Sequence, residues 1–332
     1  MSDSLRAVPA PLRIFATAPL RGEGLARLEA LGEVICEPWI DGTSMRLLDE
    51  HRLATRLVEL GADIVICEAD ACQGPVLDLP LRAIGSTRGD PTNVDLAGAT
   101  KAGIPVLHAP GRNADGVAEL TVALLFAVTR GLLVADGDVR RGDVYKDGTI
   151  PYQRFRAWQL AGRTAGIVGL GAVGRATRWR LEGLGLQVIS CDPYNPDATH
   201  ALADLLAEAD VVSMHAAPLP DTLGLMGAAQ FAAMRPGAVY LNSARAGLHD
   251  LEALTAALLS GHLGGAGLDH FSGETLPVDH PLCALPNVVL TPHIGGATYD
   301  TEANHTTMLA DDLERLLAGE RPLHCANPEV LP

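Results

Sequence analysis

Short apolar runs rich in β-branched residues alternate along the chain with longer stretches of helical periodicity, at the spacing of βαβ units. In the first third, Leu12 to Ala16, Val34 to Cys36, Ile64 to Cys67, Leu81 to Ser86 and Val106 to His108 read as strands. Helices are predicted between them over Leu25 to Leu31 and Met45 to Leu60. Six further runs each end in a residue able to touch a ligand. They are Ala165 to Val168 into Gly169, Leu186 to Ser190 into Asp192, Val211 to Ser213 into His215, Ala238 to Leu241 into Arg245, Gly264 to Leu268 into Asp269, and Val288 to Leu290 into His293. Strands separated by helices of this length predict parallel sheets with right-handed crossovers. In open parallel sheets ligands bind outside the carboxyl ends of the strands, so these six termini outline one crevice.

A long helix, Asp115 to about Ala135, follows the turn Pro110-Gly111-Arg112-Asn113. The next stretch, Asp136 to Arg163, is charged and glycine-containing, and interleaves Tyr145, Tyr152, Phe155 and Trp158. So much aromatic surface on a loop-like segment needs cover, which predicts an arm packing on a second subunit. A last helix, Thr301 to Leu317, is placed to return to the first domain. With 332 residues the chain exceeds one ordinary core and fits two domains.

Composition narrows the class. Hydrophobic content of 48% with only 4% aromatic describes Ala, Val and Leu packing of helices on a parallel sheet. A formal charge of −15 argues against a nucleic-acid surface, which needs clustered Lys and Arg. The six cysteines are scattered with no C-x-x-C pair, so reduced cytoplasmic thiols are expected rather than a zinc ribbon or disulfide framework. No basic segment followed by a long apolar core opens the chain, and no secretion signal is expected. The most apolar helix, near Leu120 to Val134, is interrupted by Arg130 and falls short of the roughly 20 apolar residues a membrane span needs. A soluble protein without membrane or nucleic-acid partners is the expectation.

Gly169-Leu170-Gly171-Ala172-Val173-Gly174 is a G-x-G-x-x-G turn between a strand and an amphipathic helix, Ala176 to Leu184. Gly169 allows the tight turn, Gly171 lets backbone approach a pyrophosphate, and Gly174 lets helix pack on strand. The amides of Ala172 and Val173 then open a helix whose N-terminus favours an anion. Such turns also occur without ligand. Asp192, about 20 residues on, adds a carboxylate for the ribose hydroxyls. No Arg or Lys follows in Asp192-Pro193-Tyr194 to offset a 2′-phosphate, so NAD is expected over NADP.

Reduction of a 2-oxo acid needs a cation for the carboxylate and carbonyl, an acid for the emerging oxyanion, and a group holding that acid's protonation state. Arg245 can supply the guanidinium fork, His293 in Thr291-Pro292-His293-Ile294-Gly295-Gly296 the acid, and Glu274 its carboxylate partner. Taken singly, each has an ordinary reading as a surface charge or a hydrogen-bonded filler. His215 is assigned to cofactor contact. His51, His200, His249, His262, His270, His280, His305 and His324 take structural roles, and no H-E-x-x-H or acidic cluster suggests a metal.

With these residues in view the chain resembles the NAD-dependent D-isomer-specific 2-hydroxyacid dehydrogenases over nearly its whole length. The likeness lies in Gly103-Ile104-Pro105-Val106, Gly111-Arg112-Asn113-Ala114-Asp115 with Val117-Ala118-Glu119, Gly166 to Gly174, Asn242-Ser243-Ala244-Arg245, Gly267-Leu268-Asp269 and Asn287 to Gly296. The resemblance implies that Arg245 binds the substrate carboxylate and carbonyl, that Glu274 supports the histidine, and that His293 is the acid/base. It further implies that Ala172 and Val173 meet the pyrophosphate, Asp192 the adenosine ribose, Ala244 and Gly295 the nicotinamide half, and Asp269 the carboxamide. It implies two Rossmann-like, doubly wound α/β domains, with an NAD domain at 116–299 inserted in a flavodoxin-like substrate domain of 1–115 and 300–332. An arm at about 136–163 would form a homodimer. The likeness is to the short form of the family, so the regulatory domain of the long phosphoglycerate dehydrogenases is not expected.

Three departures from the family pattern stand out. Ala246 replaces a usual Gly, Thr275 a usual Pro, and Asp90 sits where a glycine commonly helps present amides to the substrate carboxylate. Gly89 and Asp90 are the substrate-loop candidates, with left-handed backbone expected to preserve the nest at Asp90. The acid there disfavours a phosphorylated substrate unless Arg88 or Arg112 offsets it. Hydride transfer between NAD(H) and a small 2-oxo acid, of hydroxypyruvate, glyoxylate, phosphoglycerate or sugar-acid type, is the expected activity. Formate oxidation is disfavoured because that relative pairs its histidine with Gln. An NAD-sensing corepressor would keep the same triad and differs only in lacking turnover. Arg154 or Arg156 of the arm is expected at the partner's substrate mouth.

Overall fold

The computed structural model describes residues 11–40 and 46–331. By internal contacts the chain divides into two compact units, one built from the residues up to Arg112 together with those from Thr298 onward, the other from Asn113–Ala297.

The first unit is a parallel sheet of β1 (Leu12–Ala16), β2 (Gly32–Cys36), β3 (Ile64–Cys67), β4 (Ala83–Ser86) and β5 (Val106–Leu107), in the order β2-β1-β3-β4-β5. This is the flavodoxin-like arrangement, with its switch point between β1 and β3. β3 and β4 are buried at every position, as expected of strands covered on both faces. Helices α1 (Glu23–Leu31), α2 (Glu50–Leu60) and α3 (Leu96–Ala102) make the crossovers. α2 starts at Glu50, later than the periodicity suggests, because the Asp49 side chain caps it by accepting from the Arg52 amide. The expected start at Met45 lies outside the described residues.

The second unit opens with α4 (Ala114–Thr129), α5 (Leu132–Arg141) and α6 (Pro151–Arg154). Its sheet, in the order β11-β10-β9-β8-β6-β7, is parallel throughout. The strands are β6 (Thr164–Val168), β7 (Gln187–Cys191), β8 (Val211–Met214), β9 (Val239–Asn242), β10 (Gly265–Leu268) and β11 (Val288–Leu290). The crossovers are α7 (Ala172–Gly183), α8 (Leu202–Glu208), α9 (Ala228–Ala233) and α10 (Leu251–Leu259). One face of this sheet carries a core around Leu205, Phe231, Tyr240 and Leu258. The other packs under α4 through Leu124, Leu125 and Val128. The sheet changes direction at β6, so the carboxyl ends of β6 and β8 form its topological switch point.

The predicted helix Asp115 to Ala135 is two helices bent by 62°. Gly131 takes a left-handed φ of 56°, which ends α4 and restarts the chain as α5. No single described helix is long and apolar enough to cross a membrane; the bent pair passes that test by length and composition, yet α4 is a core helix. Nor is 136–163 loop-like throughout, since α5 continues to Arg141. Arg154 is bound locally. Its guanidinium donates to Asp138 Oδ2 (3.1 Å), the Thr149 hydroxyl (3.0 Å) and the carbonyls of Asp143 and Val144. These bonds staple the segment to itself. Arg156, Tyr145, Tyr152 and Trp158 are exposed.

The final helix, α11 (Tyr299–Leu317), packs on α1 in the first unit, where Arg27 forks across Glu314 at 2.9 and 2.6 Å. Cys67 and Cys72 are buried in contact, and all six cysteines are free thiols.

Candidate active site

The three glycines of the turn after β6 have different reasons to be glycine. Gly169 has a φ of 94°, and a Cβ there would stand 2.4 Å from the Ala216 amide nitrogen, so no side chain fits against the end of β8. A Cβ at Gly174 would lie 2.0 Å from the Gly169 carbonyl, so α7 starts pressed onto the turn. At Gly171 an added Cβ meets nothing within 4 Å. Packing demands the outer two, whereas the middle one faces open space where a ligand can approach backbone. Gly171 is the N-cap of α7 and supplies no side-chain cap, leaving the Ala172 and Val173 amides for an anion.

Asp192, beyond β7, is tied to this turn. Its Oδ2 accepts from the Leu170 amide at 2.7 Å and its Oδ1 from the Tyr194 amide at 2.9 Å, which leaves further lone pairs on both oxygens for hydroxyl donors. Two neighbours carried no sequence signal: Arg175 Nη1 and Asn195 Nδ2 both donate to the Leu170 carbonyl at 2.9 Å. His215, at the end of β8, shares a 2.8 Å bond between Nε2 and the Ser213 hydroxyl, while its Nδ1 is buried with no partner among the described residues. Burial pushes its pKa down to about 4, so the ring is neutral. An open glycine, an uncapped helix start, an oriented carboxylate and an orphaned nitrogen fit a dinucleotide across the switch point.

Arg245 follows β9, and Asn242 builds the loop that presents it. The Asn242 amide accepts from the Ala244 N–H (2.9 Å) through Oδ1 and donates through Nδ2 to the Arg245 carbonyl (2.9 Å) and to His249 Nδ1 (2.8 Å). This fully used amide holds the turn rigid. The guanidinium is exposed, with one donor on the Ala244 carbonyl at 2.7 Å. The Ala244 amide, expected at the nicotinamide half, is spent on Asn242. Ala246 has no left-handed backbone, so the missing glycine costs nothing there.

Asp269, wholly buried at the end of β10, organises the neighbouring loop. Its Oδ1 accepts from the Thr291 hydroxyl (2.6 Å) and the Ile294 amide (2.9 Å), and its Oδ2 from the Gly295 amide (2.9 Å). The carboxylate expected at the carboxamide thus grips both flanks of His293, and the Gly295 amide is occupied by it.

His293 and Glu274 meet at 2.9 Å between Nδ1 and Oε1. Nδ1–H is the donor to the carboxylate, so Nε2 is left to exchange a proton with a ligand. Both residues have left-handed backbones, at φ 56° and 58°, two of only three non-glycine cases among the described residues. Thr275 is extended, a conformation that needs no proline.

His270, read from sequence as structural, stands beside this pair. Its ring lies 3.7 Å, centroid to centroid, from that of His293, tilted by 52°. It is 5% exposed and makes no hydrogen bond to a described residue. Burial, then the charges of His293 and Arg245, lower its pKa to about 4. Arg245, His270, Glu274 and His293 therefore share one electrostatic neighbourhood, assembled from the carboxyl ends of β9, β10 and β11.

In the first unit, Gly89 and Asp90 lie in the loop after β4. Neither has positive φ, so the left-handed nest expected at Asp90 is absent. The Gly89 carbonyl accepts from His108 Nδ1 at 2.8 Å, and among the described residues neither amide donates. Arg112 offers no spare charge to this loop. It pairs with Glu68 and donates to His305 Nδ1 at 2.7 Å, while His305 Nε2 donates to the Pro19 carbonyl at 2.7 Å. Burial opposes ionisation of Glu68, but the Arg112 charge and hydrogen bonds from Arg112 and Trp39 win, and its pKa falls.

Comparison with known proteins agrees with this geometry. Residues 122–295 match the family described as D-isomer specific 2-hydroxyacid dehydrogenase, NAD binding domain. The chain is 32% identical over 333 residues to YoaD of Bacillus subtilis, whose name places it among 2-hydroxyacid dehydrogenases; the match covers 98% of this chain and 96% of that one. It is 31% identical to a glyoxylate reductase of Korarchaeum cryptofilum, covering 96% and 97% of the two chains. A D-3-phosphoglycerate dehydrogenase of Methanocaldococcus jannaschii is also 31% identical, but the match, 97% of this chain, spans only 60% of that longer protein. Among solved structures, the TT0316 protein of Thermus thermophilus superposes with a TM-score of 0.80 at 35% identity, over 95% of this chain and all of the other.

Proposed function

We infer the activity from family membership: the chain belongs to the D-isomer specific 2-hydroxyacid dehydrogenases, NAD-dependent oxidoreductases that interconvert 2-hydroxy and 2-oxo acids. We propose that Arg245, His293 and Glu274 carry the reaction here. The observation that carries this reading is the 2.9 Å Glu274–His293 bond, held on a loop beside the one that presents Arg245.

The glycine turn, the Ala172 and Val173 amides and Asp192 would hold the pyrophosphate and adenosine ribose, with His215, Ala244, Asp269 and Gly295 around the nicotinamide half. NADH supplies the hydride. Arg245 offers its guanidinium to the substrate carboxylate and carbonyl oxygen, fixing the oxo acid and favouring negative charge on that oxygen. His293 Nε2 delivers the proton to the developing alkoxide, and Glu274 on Nδ1 fixes the tautomer and orients the ring. In the reverse direction the same nitrogen takes the hydroxyl proton.

The substrate is a small, unphosphorylated 2-oxo acid of glyoxylate or hydroxypyruvate type. Supporting this are the unengaged Gly89 and Asp90 amides, suited to a carboxylate, and the Asp90 acid, which repels a phosphate while Arg112 is bound to Glu68. A homodimer through the arm fits its exposed aromatics, and six free thiols fit the cytoplasm.

The test is NADH consumption over a panel of 2-oxo acids, with and without phosphate, by wild type and Arg245→Ala. Rapid turnover of glyoxylate or hydroxypyruvate, reduced at least about tenfold in kcat/KM by the substitution, is expected. Undiminished turnover in the variant removes Arg245 from the mechanism.

A further inference from the structure

His270 is a buried imidazole with no hydrogen bond to a described residue, and the mechanism above does not use it. Its ring nitrogens are engaged by no described residue and are not sealed from solvent, so they stay open to a ligand. One donor atom from each of His270, Glu274 and His293 lies within 4.8 Å of the other two.

We propose that His270, Glu274 and His293 form a binding site for zinc or a similar borderline-soft divalent cation, and that the metal switches the enzyme off. Two imidazoles and one carboxylate are a recurring zinc donor set. Tetrahedral zinc with bonds of about 2.0–2.1 Å holds its ligand atoms about 3.4 Å apart, so a pair standing near the 4.8 Å limit must close by roughly an ångström while the 2.9 Å Glu274–His293 contact opens slightly. The structure leaves room for that movement. The side chains of His293 and Glu274 are 43% and 60% exposed and free to turn, whereas His270 is the buried, fixed ligand. Nothing needs to be broken to engage His270. The Glu274–His293 hydrogen bond is exchanged for two metal bonds, and a fourth position stays open to water. The local motifs that announce metal sites are missing because His270 and Glu274 come from the loop after β10 and His293 from the loop after β11.

Inhibition follows from the role proposed for His293, because a metal-bound imidazole cannot exchange its proton; binding itself does not depend on that role. The nucleotide-holding residues are not ligands, so NADH affinity should stay the same.

The experiment is calorimetric titration of chelator-treated protein with zinc, for wild type, His270→Phe and Glu274→Gln, alongside oxo-acid turnover with added zinc or EDTA. Phe keeps the buried ring without a donor atom. Wild type should bind one zinc per chain, each variant at least tenfold more weakly, and zinc should inhibit wild type reversibly while sparing His270→Phe. Should His270→Phe misfold, His270→Gln provides the same comparison. No saturable binding by wild type, or unchanged affinity in either variant, overturns the site. Tight binding without inhibition would leave the metal site standing and count against His293 as the acid.

Discussion

Glu274 and His293 are joined at 2.9 Å, and both hold left-handed backbones, at φ 58° and 56°. Each such dihedral costs a non-glycine residue about 1–2 kcal/mol, whereas an exposed ion pair returns about 0.2–1 kcal/mol. The pair cannot hold itself in place. Asp269, with three hydrogen bonds to the loop around His293, is the group that does. Strain concentrated on two interacting residues marks a site selected for geometry rather than stability.

Replacing His293 by glycine should therefore separate the two. The denaturation midpoint is expected to be unchanged or higher, because glycine accepts a φ of 56° without strain, while kcat falls about 100- to 10,000-fold with the acid removed. A clear loss of stability would show that the backbone is not strained.

Asp269→Asn keeps the shape and removes the charge. An amide cannot accept from Ile294 and Gly295 through both of its heteroatoms, so a charge-assisted bond worth about 1.5–3 kcal/mol is lost. Stability and kcat should fall together as the His293 loop loosens, with a smaller change in NADH dissociation constant. Loss of NADH binding with kcat intact would instead make Asp269 a cofactor contact alone.

Asp192→Ala should weaken NADH about ten- to hundredfold, by the same charge-assisted arithmetic, and weaken NADPH less. Direct titration of both nucleotides reads this out. Equal losses would mean that the carboxylate only braces the Leu170 and Tyr194 amides.

Acid should destabilise the fold well before carboxylates titrate. His215, His249 and His305 have pKa values near 4, each chiefly because burial penalises the charged ring, against about 6.5 in the unfolded chain. Between those values the unfolded chain binds more protons. Stability is therefore full above about pH 6.5 and is lost as the pH falls toward 4, at up to about 4 kcal/mol per pH unit if all three contribute. Urea midpoints measured from neutral pH down to about pH 5 should drop steeply. A flat profile would mean that these rings are solvated.

If the arm covers itself with a second copy, Trp158→Glu combined with Tyr152→Glu should break the dimer. Burying a charge in place of an aromatic anchor costs about 2 kcal/mol or more, roughly thirtyfold in dissociation constant. Sedimentation velocity distinguishes the species. A wild-type chain that sediments as a monomer would refute the arm reading outright.

Much of the fold was legible in sequence because its signals are local. All eleven strands stand within a residue or two of their apolar runs, and Gly169 and Gly174 each have a steric reason while Gly171 faces open space. Errors arose where a distant contact or a single dihedral decides. Gly131 splits the helix expected to run on to Ala135. Asp90, expected to be left-handed, has no positive φ. His270 carries no sequence signal, since one histidine in a strand-end tripeptide has no periodic pattern.

Sequence alone determined the two parallel sheets, the glycine turn and the identity of the groups at the strand ends, since hydrophobic period and turn chemistry are properties of neighbouring residues. Only tertiary structure decided which of those groups touch. Asp269 serves the His293 loop, His270 lies on His293, and Glu274 reaches it across 19 residues of chain. Such pairings depend on how separate strand ends are brought side by side in the sheet, and no local pattern encodes that.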